Sequence, residues 1–452
     1  MPKRLFGTNG VRGVVNEDLT SDMSLQIGKA IGTVMGGTVA IATDTRGSAD
    51  LIRTAVSSGL MSVGVSVLDL GVLPTPALQY YVKTHNTVSG GVMITASHNP
   101  PQFNGIKCIS RDGTEASRKE EEEIEAKYSS NLRCACWNSI GSMNRIDGAA
   151  EEYVDSIVSK VDAEAIRKAG LKVCIDCADG AAYETTPLLL KKLNVTAVAI
   201  NCSPRGESPG RPFEPTEENL GELMSLTRST GSDLGIAHDG DADRCVFVTI
   251  DGKYVSGDKS LALLAGYALS KKKGTVVTPV SSSSLVKAIV EGNGGKVVYT
   301  AVGSPVVARK MIEIGAVFGG EENGGLIFPE QQHCRDGGMS AAKMLECIVK
   351  NGPLNKQLYR FPTYHTVKKK VECPNAMKKP VMDHLVKESA GAKVDNTDGI
   401  KLLFDDGWVL ARPSGTEPLF RIFSESKDED TAKQRAEKYE TLVNEFLKRG
   451  LN

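Results

Sequence analysis

Short runs rich in Val and Ile recur along the chain, separated by longer stretches whose apolar residues return at helical spacing. "TVAIAT", "VSVLDL" and "GVMIT" in the first third read as buried parallel strands, with a helix over 49–63 among the segments between them. The rhythm returns in "LKVCIDC", "VTAVAI" and "SDLGIAH", and again in "GTVVTPV", "KVVYTA" and "AVFGGEE". Strands alternating with helices of this length predict α/β units built on parallel sheets. The three blocks share a rhythm and no sequence self-identity, so any repeat is architectural.

After Phe361 the pattern changes. "YHTVKKKVECP", "GIKLLFDDGWVLARPSG" and "LFRIFSES" predict strands, with a hairpin turn at Asp406-Gly407. Ala432, Ala436, Tyr439, Val443, Phe446 and Leu447 then line one face of a final helix. The expected division is three similar α/β domains over 1–150, 151–255 and 256–362, and a smaller α+β domain over 363–452. The acidic run "RKEEEEIEAK" and the two "KKK" runs predict solvated faces without a function.

Composition narrows the classes of function. The chain has 452 residues, Lys+Arg 54 against Asp+Glu 55 and a net charge of -1. That balance argues against a general nucleic-acid or membrane-surface protein, since both need a basic excess. The start, "MPKRLFGTNG", has no apolar signal core, and no run of 18 apolar residues follows. Ten cysteines scattered through a large chain, Cys134 and Cys136 too close for a C-x-x-C spacing, predict reduced thiols and a cytoplasmic setting.

The most unusual chemistry lies in "LGIAHDGDADRCVF", where Asp239, Asp241 and Asp243 alternate at the end of an apolar strand. Hard divalent cations prefer several carboxylate oxygens, so a metal site is the natural reading. It is not an EF-hand: counting Asp239 as position one, Arg244 stands where the glycine belongs and Ile250 where the glutamate belongs. Arg244 alone does not neutralise three carboxylates, which weighs against a plain polar turn. An aspartyl-nucleophile phosphotransferase is the other acid-rich reading, although Asp243 occupies the Thr or Val position of its motif.

A second strand, in "VMITASHNPPQFNGIKCI", runs into Ser97 and His98, with Lys107 ten residues after the serine. The serine suits a nucleophile, and His98 and Lys107 suit proton transfer. By composition alone a Ser/Asn/Pro turn capping a helix is the stronger reading of the stretch. "GESPG" is no hydrolase elbow, because Pro209 has no N–H for an oxyanion. Arg12 in "FGTNGVRG" suits an anion, as do Arg412, Ser414, Gly415 and Thr416 in "ARPSGTEP". Glu321, Glu322 and Asn323 in "GGEENGG" suit sugar hydroxyls. No Walker A sequence and no strand-linked G-x-G-x-x-G supports nucleotide binding. Together these elements predict a phosphoryl-transfer site assembled from several blocks.

"TASHNP", "DGDADR", "GEENGG" and "RPSGTEP", in this order and spacing, resemble the motifs of the α-D-phosphohexomutases along nearly the whole chain. The resemblance implies three similar mixed-sheet α/β domains and a smaller C-terminal α+β domain around a central cleft. It implies phosphorylation of Ser97 and one Mg2+ held by Asp239, Asp241, Asp243 and an oxygen on Ser97. Lys107 would transfer protons, His98 would sit beside the serine, and Arg12 and Arg244 would surround its phosphate. Glu321 and Asn323 would contact the sugar, and Arg412, Ser414, Gly415 and Thr416 its distal phosphate. The substrate would be a small-molecule sugar phosphate with a hexose bisphosphate as primer, and neither nucleic acid nor membrane as partner. Oligomeric state stays open, with a homodimer as one arrangement. The common sugar loop has the form G-E-x-S-G-H, whereas Asn323 and Gly325 replace its Ser and His here. "GEENGG" with "FGTNGVRG" is most similar to the archaeal phosphoglucosamine mutase branch, which implies interconversion of glucosamine 6-phosphate and glucosamine 1-phosphate. A phosphomannomutase/phosphoglucomutase specificity is the alternative within the family.

Overall fold

The computed structural model describes residues 5–7, 10–206, 209–389, 391, 393–414 and 418–450. The chain forms three α/β domains and a smaller C-terminal domain, and it divides into two compact units. The first holds 1–260 and 323–359, and the second holds 261–322 and 360–452.

The first unit contains two sheets. In one, Val11–Val14, Phe103–Ile109, Gly90–Ile94, Thr38–Thr43, Ser66–Val72 and Met143–Arg145 lie side by side in that order. Thr38–Thr43 pairs in parallel with Ser66–Val72 and Gly90–Ile94, while Phe103–Ile109 runs antiparallel to both of its neighbours. The runs "TVAIAT" and "GVMIT" are apolar without alternation because helices cover both faces of these central strands. Ile27 and Ile31 of helix Ser21–Met35, and Ile52, Val56 and Leu60 of helix Ala49–Ser62, join Val39, Ile41, Val92 and Ile94 in one core.

In the other sheet the order is Tyr254–Val255, Cys245–Thr249, Leu234–His238, Lys172–Asp176 and Thr196–Ile200. Lys172–Asp176 is parallel to both of its neighbours, and Cys245–Thr249 folds back antiparallel. Both sheets are therefore mixed, where the strand rhythm alone predicted parallel ones. The two loops that matter most, starting at Thr95 and Asp239, leave the carboxyl ends of parallel strands, where open α/β sheets bind ligands.

In the second unit, Thr275–Pro279 lies between Lys296–Thr300 and Phe318–Gly320, all parallel. A five-stranded antiparallel sheet follows in the order His365–Glu372, Leu419–Ser426, Gly407–Pro413, Ile400–Phe404, Val394–Asp395. Helix Glu429–Gly450 closes its core with Tyr439, Val443 and Leu447. The hairpin turn is Asp405-Asp406, one residue before the predicted place, because Gly407 is already paired with Phe404. The neighbouring strand crowds that position: a Cβ on Gly407 would lie 1.9 Å from the Glu425 carbonyl oxygen.

The acidic run forms helix Arg118–Tyr128, started by a capping box between Ser117 and Glu120. It is not uniformly solvated, because Glu121 is 8 % exposed and Glu125 accepts the Phe6 N–H at 2.8 Å. Burial pushes the Glu121 carboxyl up to about 7 against the partial relief of Arg118. Between about pH 4.5 and 7 the folded chain then binds more protons at this group than the unfolded chain. Its contribution to stability is therefore full at low pH and falls as pH rises. Glu121→Gln keeps an acceptor for Arg118 without the charge. Thermal melts should show it a few degrees more stable than the parent at pH 8 and equal at pH 5; equal melting at both would contradict this.

All ten cysteines are free thiols. Among the described residues no helix is long and apolar enough to cross a membrane.

Candidate active site

The loop after strand Gly90–Ile94 is held from inside by Arg46. Its guanidinium donates to the carbonyls of Ser97 (2.9 Å), Asn99 (2.7 Å), Pro100 (2.7 Å) and Phe103 (2.9 Å). Asp44 balances its charge at 3.0 Å, and Phe213 lies under it at 4.7 Å from the ring centre. Asp44 in turn accepts from the Thr95 hydroxyl (2.6 Å), which accepts the Ser97 N–H (2.9 Å). Within this frame Ser97 adopts φ 53, a left-handed conformation uncommon for a non-glycine residue. Strained backbone held by surrounding contacts concentrates at functional sites.

The buried Ser97 hydroxyl donates to Asp239 Oδ2 at 2.9 Å, across 142 residues of sequence. Gly240 lets the two loops meet: a Cβ there would stand 2.5 Å from the Ser97 carbonyl oxygen. Asp239, Asp241 and Asp243 are all buried, with one oxygen from each lying within 4.8 Å of the others.

Asp241 and Asp243 are each held through one oxygen, Asp239 through both. Asp241 Oδ2 accepts from the Thr75 hydroxyl (2.7 Å) and the Lys107 ammonium (2.5 Å). Asp243 Oδ2 accepts from Arg335 at 2.5 Å, and Asp239 Oδ1 accepts the Arg244 N–H at 3.1 Å. Asp241 Oδ1 and Asp243 Oδ1 are buried without a hydrogen-bond donor. An unsatisfied buried acceptor costs about 1–3 kcal/mol, and a hard cation relieves it with the ligand type it prefers. The donor set therefore fits a hard divalent cation such as Mg2+, which Asp239, Asp241 and Asp243 could hold, with Ser97 alongside.

The charge arithmetic differs from the sequence reading. Lys107 is 2.5 Å from Asp241 and 3.6 Å from Asp243, and Arg244 is 3.6 Å from Asp239 and 3.9 Å from Asp243. Arg335 completes the set on Asp243. Three cations thus face three carboxylates, and the orphaned oxygens, rather than unbalanced charge, point to a metal. Burial would raise Asp241, but Lys107, Thr75 and Arg335 outweigh it and hold the carboxyl far below the usual range. Burial and the Asp243 and Asp241 charges push Asp239 up to about 8.

His98, the residue after the serine, faces Arg244. Its Nδ1 lies 3.1 Å from Arg244 Nη2, which can only donate, so Nδ1 accepts and the hydrogen of the neutral ring sits on Nε2. Burial, then Arg244 and Arg12, depress the imidazole to about 2. Arg12 donates to Asn99 Oδ1 (2.8 Å) and the Ala96 carbonyl (3.3 Å), so it braces the serine loop. Asn323 belongs to the same unit: its Oδ1 accepts the Gly325 N–H at 3.0 Å, and Gly324 accepts from Cys245 N at 3.0 Å.

The remaining candidates lie in the second unit. Glu321 is buried and accepts the Gly303 N–H at 3.1 Å. Arg412 pairs with Asp398 at 3.0 Å, and Lys378 donates to the Ser414 carbonyl at 2.6 Å. Gly415 and Thr416 lie outside the described residues. Sequence reasoning missed Thr75, Arg46, Asp44 and Arg335. Of these only "CRDGG", a charged pair before two glycines and a helix, carried a local signal.

The chain matches four domains described as phosphoglucomutase/phosphomannomutase. Alpha/beta/alpha domain I covers residues 3–133, domain II 151–252, domain III 256–364 and the C-terminal domain 369–441. A phosphoglucomutase/phosphomannomutase from Thermococcus kodakarensis is 42% identical over 98% of this chain and 99% of its own. A phosphoglucosamine/phosphogalactosamine mutase from Sulfurisphaera tokodaii is 40% identical over 98% of both chains. Among solved structures, a phosphoglucomutase/phosphomannomutase family protein from Burkholderia thailandensis superposes with TM-score 0.87 at 26% identity, covering 98% of this chain and 97% of that one. With all four domains matched in order and relatives of this identity along its full length, the chain belongs to the phosphoglucomutase/phosphomannomutase family of phosphohexomutases, which are isomerases.

Proposed function

We propose that the chain is a phosphoglucosamine mutase, interconverting glucosamine 6-phosphate and glucosamine 1-phosphate through a phosphoserine at Ser97 and a bisphosphate intermediate. The observation that carries the mechanism is the Ser97 hydroxyl on Asp239, inside a carboxylate cluster with orphaned oxygens. The substrate assignment draws on the Sulfurisphaera tokodaii relative. The Thermococcus kodakarensis relative, named for glucose and mannose phosphates, keeps that specificity as a second reading.

In the forward half-reaction the P–O bond to Ser97 Oγ breaks and a bond to the free sugar hydroxyl forms. The other phosphate of the bisphosphate then returns to Ser97. A cation at Asp239, Asp241 and Asp243 would spread the negative charge of the transferring group. Arg12 and Arg244 hold the loop and its surroundings positive. The three cations facing the carboxylates leave little surplus negative charge, so phosphate on Ser97 supplies what a dication balances. Proton transfer falls to Lys107, which would give a proton to the departing serine oxygen and recover one from the attacking hydroxyl. His98 is fixed as a neutral donor through Nε2. Glu321 and Asn323 would hold sugar hydroxyls, and Arg412, Ser414, Gly415 and Thr416 the phosphate that is not reacting.

Two results follow. Since burial and two guanidiniums keep the His98 imidazole far below its ordinary value, it stays neutral from pH 5 to 8. The pH profile of kcat/KM should therefore keep its shape in His98→Asn, with turnover lowered about tenfold or less; loss of one limb would show His98 titrating in the reaction. For the substrate, kcat/KM for glucosamine 1-phosphate, mannose 1-phosphate and glucose 1-phosphate should be compared in one bisphosphate-primed assay. The proposal expects the amino sugar to lead, and a lead for mannose or glucose phosphate would establish the second reading.

A further inference from the structure

Arg335 has no part in the chemistry assigned above, yet it touches two of its components. Its Nη2 donates to Asp243 Oδ2 at 2.5 Å, and Glu115 Oε1 lies 4.0 Å from the same nitrogen. Its aliphatic stem runs against the sugar-type loop: a Cβ on Gly325 would meet Arg335 Cδ at 2.2 Å and Cγ at 2.9 Å. Only a residue without a side chain leaves room for the arginine there. Gly325 N in turn donates to Asn323 Oδ1.

The platform under Arg335 is firm. Residue 335 bridges Ile327, and the next residue, Asp336, caps helix Gly337–Asn351 by accepting the Met339 N–H at 2.8 Å. Asp336 also accepts from the Tyr153 hydroxyl and from Gln332 Nε2. A guanidinium carried on such a base, buried with 6 % exposure, can fix the rotation of the carboxylate it holds. By taking Oδ2 of Asp243 it leaves Oδ1 as the orphaned oxygen.

We propose that Arg335 is a positioning residue that sets which oxygen of Asp243 is offered to the cation, and that Gly325 is the position that admits it. This rests on reading the carboxylate cluster as a cation site. The opposing account is electrostatic: a positive side chain beside Asp243 would only compete with a cation. Substitutions that keep the charge separate the two. Arg335→Lys retains a positive group and loses the planar fork. Gly325→Ala leaves the arginine intact and pushes its stem aside.

The full-length protein, its phosphorylation state fixed by mass measurement, is titrated with MgCl2 in a calorimeter without sugar. Loss of a group that orients a metal ligand costs about 10–100-fold in affinity, so both variants should bind Mg2+ at least about tenfold more weakly than the parent. Unchanged affinity in Arg335→Lys overturns the proposal, whatever its melting temperature, because a purely structural role would lower stability and leave binding alone. If Gly325→Ala does not fold, Arg335→Lys decides alone. A parent chain that takes up no Mg2+ overturns the cation reading beneath the proposal, and that failure shows in the parent rather than in the variants.

Discussion

Ser97→Ala is expected to lose at least about a thousandfold in kcat with glucosamine 6-phosphate, the scale of loss when a nucleophile is removed. It should also take up no phosphate from a hexose bisphosphate. The backbone frame around the position does not depend on the hydroxyl, because Arg46 gathers the loop carbonyls and Thr95 takes the amide. The variant should therefore fold and melt close to the parent, which makes the loss interpretable. Retained mutase activity would exclude the serine route. An aspartyl phosphotransferase predicts the reverse pattern, with phosphoenzyme formation surviving Ser97→Ala and vanishing in Asp239→Asn. Asp239 already takes the Ser97 hydroxyl on one oxygen and the Arg244 N–H on the other, the contacts of a group that holds a nucleophile.

Asp241→Asn should produce the largest loss of stability among the site variants. Lys107 is 1 % exposed, and Asp241 is its nearest carboxylate partner, at 2.5 Å. Removing one partner of a buried ion pair typically costs about 3–5 kcal/mol, because the remaining charge is left uncompensated. Equilibrium denaturation should show a destabilisation of that order, with Mg2+ affinity lost as well. Adding Lys107→Met should restore much of the stability and little of the metal binding, since the buried charge goes but the carboxylate's negative charge does not return. Stability unchanged in Asp241→Asn would mean that the pair is not the buried anchor described here.

How much of this was readable in the sequence depends on how far apart the interacting residues lie. The strands Thr38–Thr43, Gly90–Ile94 and Leu234–His238 announce themselves because burial on both faces writes an unbroken apolar run. The aspartate cluster is legible because its frustration is local: three carboxylates crowd five positions at a strand end. The partners that make the cluster tolerable are not local. Thr75 meets Asp241 across 166 residues and Arg335 meets Asp243 across 92, so only the folded chain assembles them. For the same reason Lys107 was readable as a chemical group but not as the ion-pair partner of Asp241. The hairpin was misplaced by one residue because Gly407 serves a crowded strand rather than the turn it usually signals. In the acidic run, composition suggested a uniformly wet face. The helix nevertheless turns Glu121 inward, a matter of packing that charge counting does not see.

The most direct test of the central claim is a single-turnover chase. Protein labelled with radioactive phosphate from a hexose bisphosphate is mixed with excess unlabelled glucosamine 6-phosphate and quenched over time. The account predicts label in the peptide containing Ser97 at the start, leaving it at a rate at least equal to kcat and passing into glucosamine bisphosphate and then monophosphate. Label that maps to another residue, or that stays on Ser97 while sugar phosphate is converted, would contradict it.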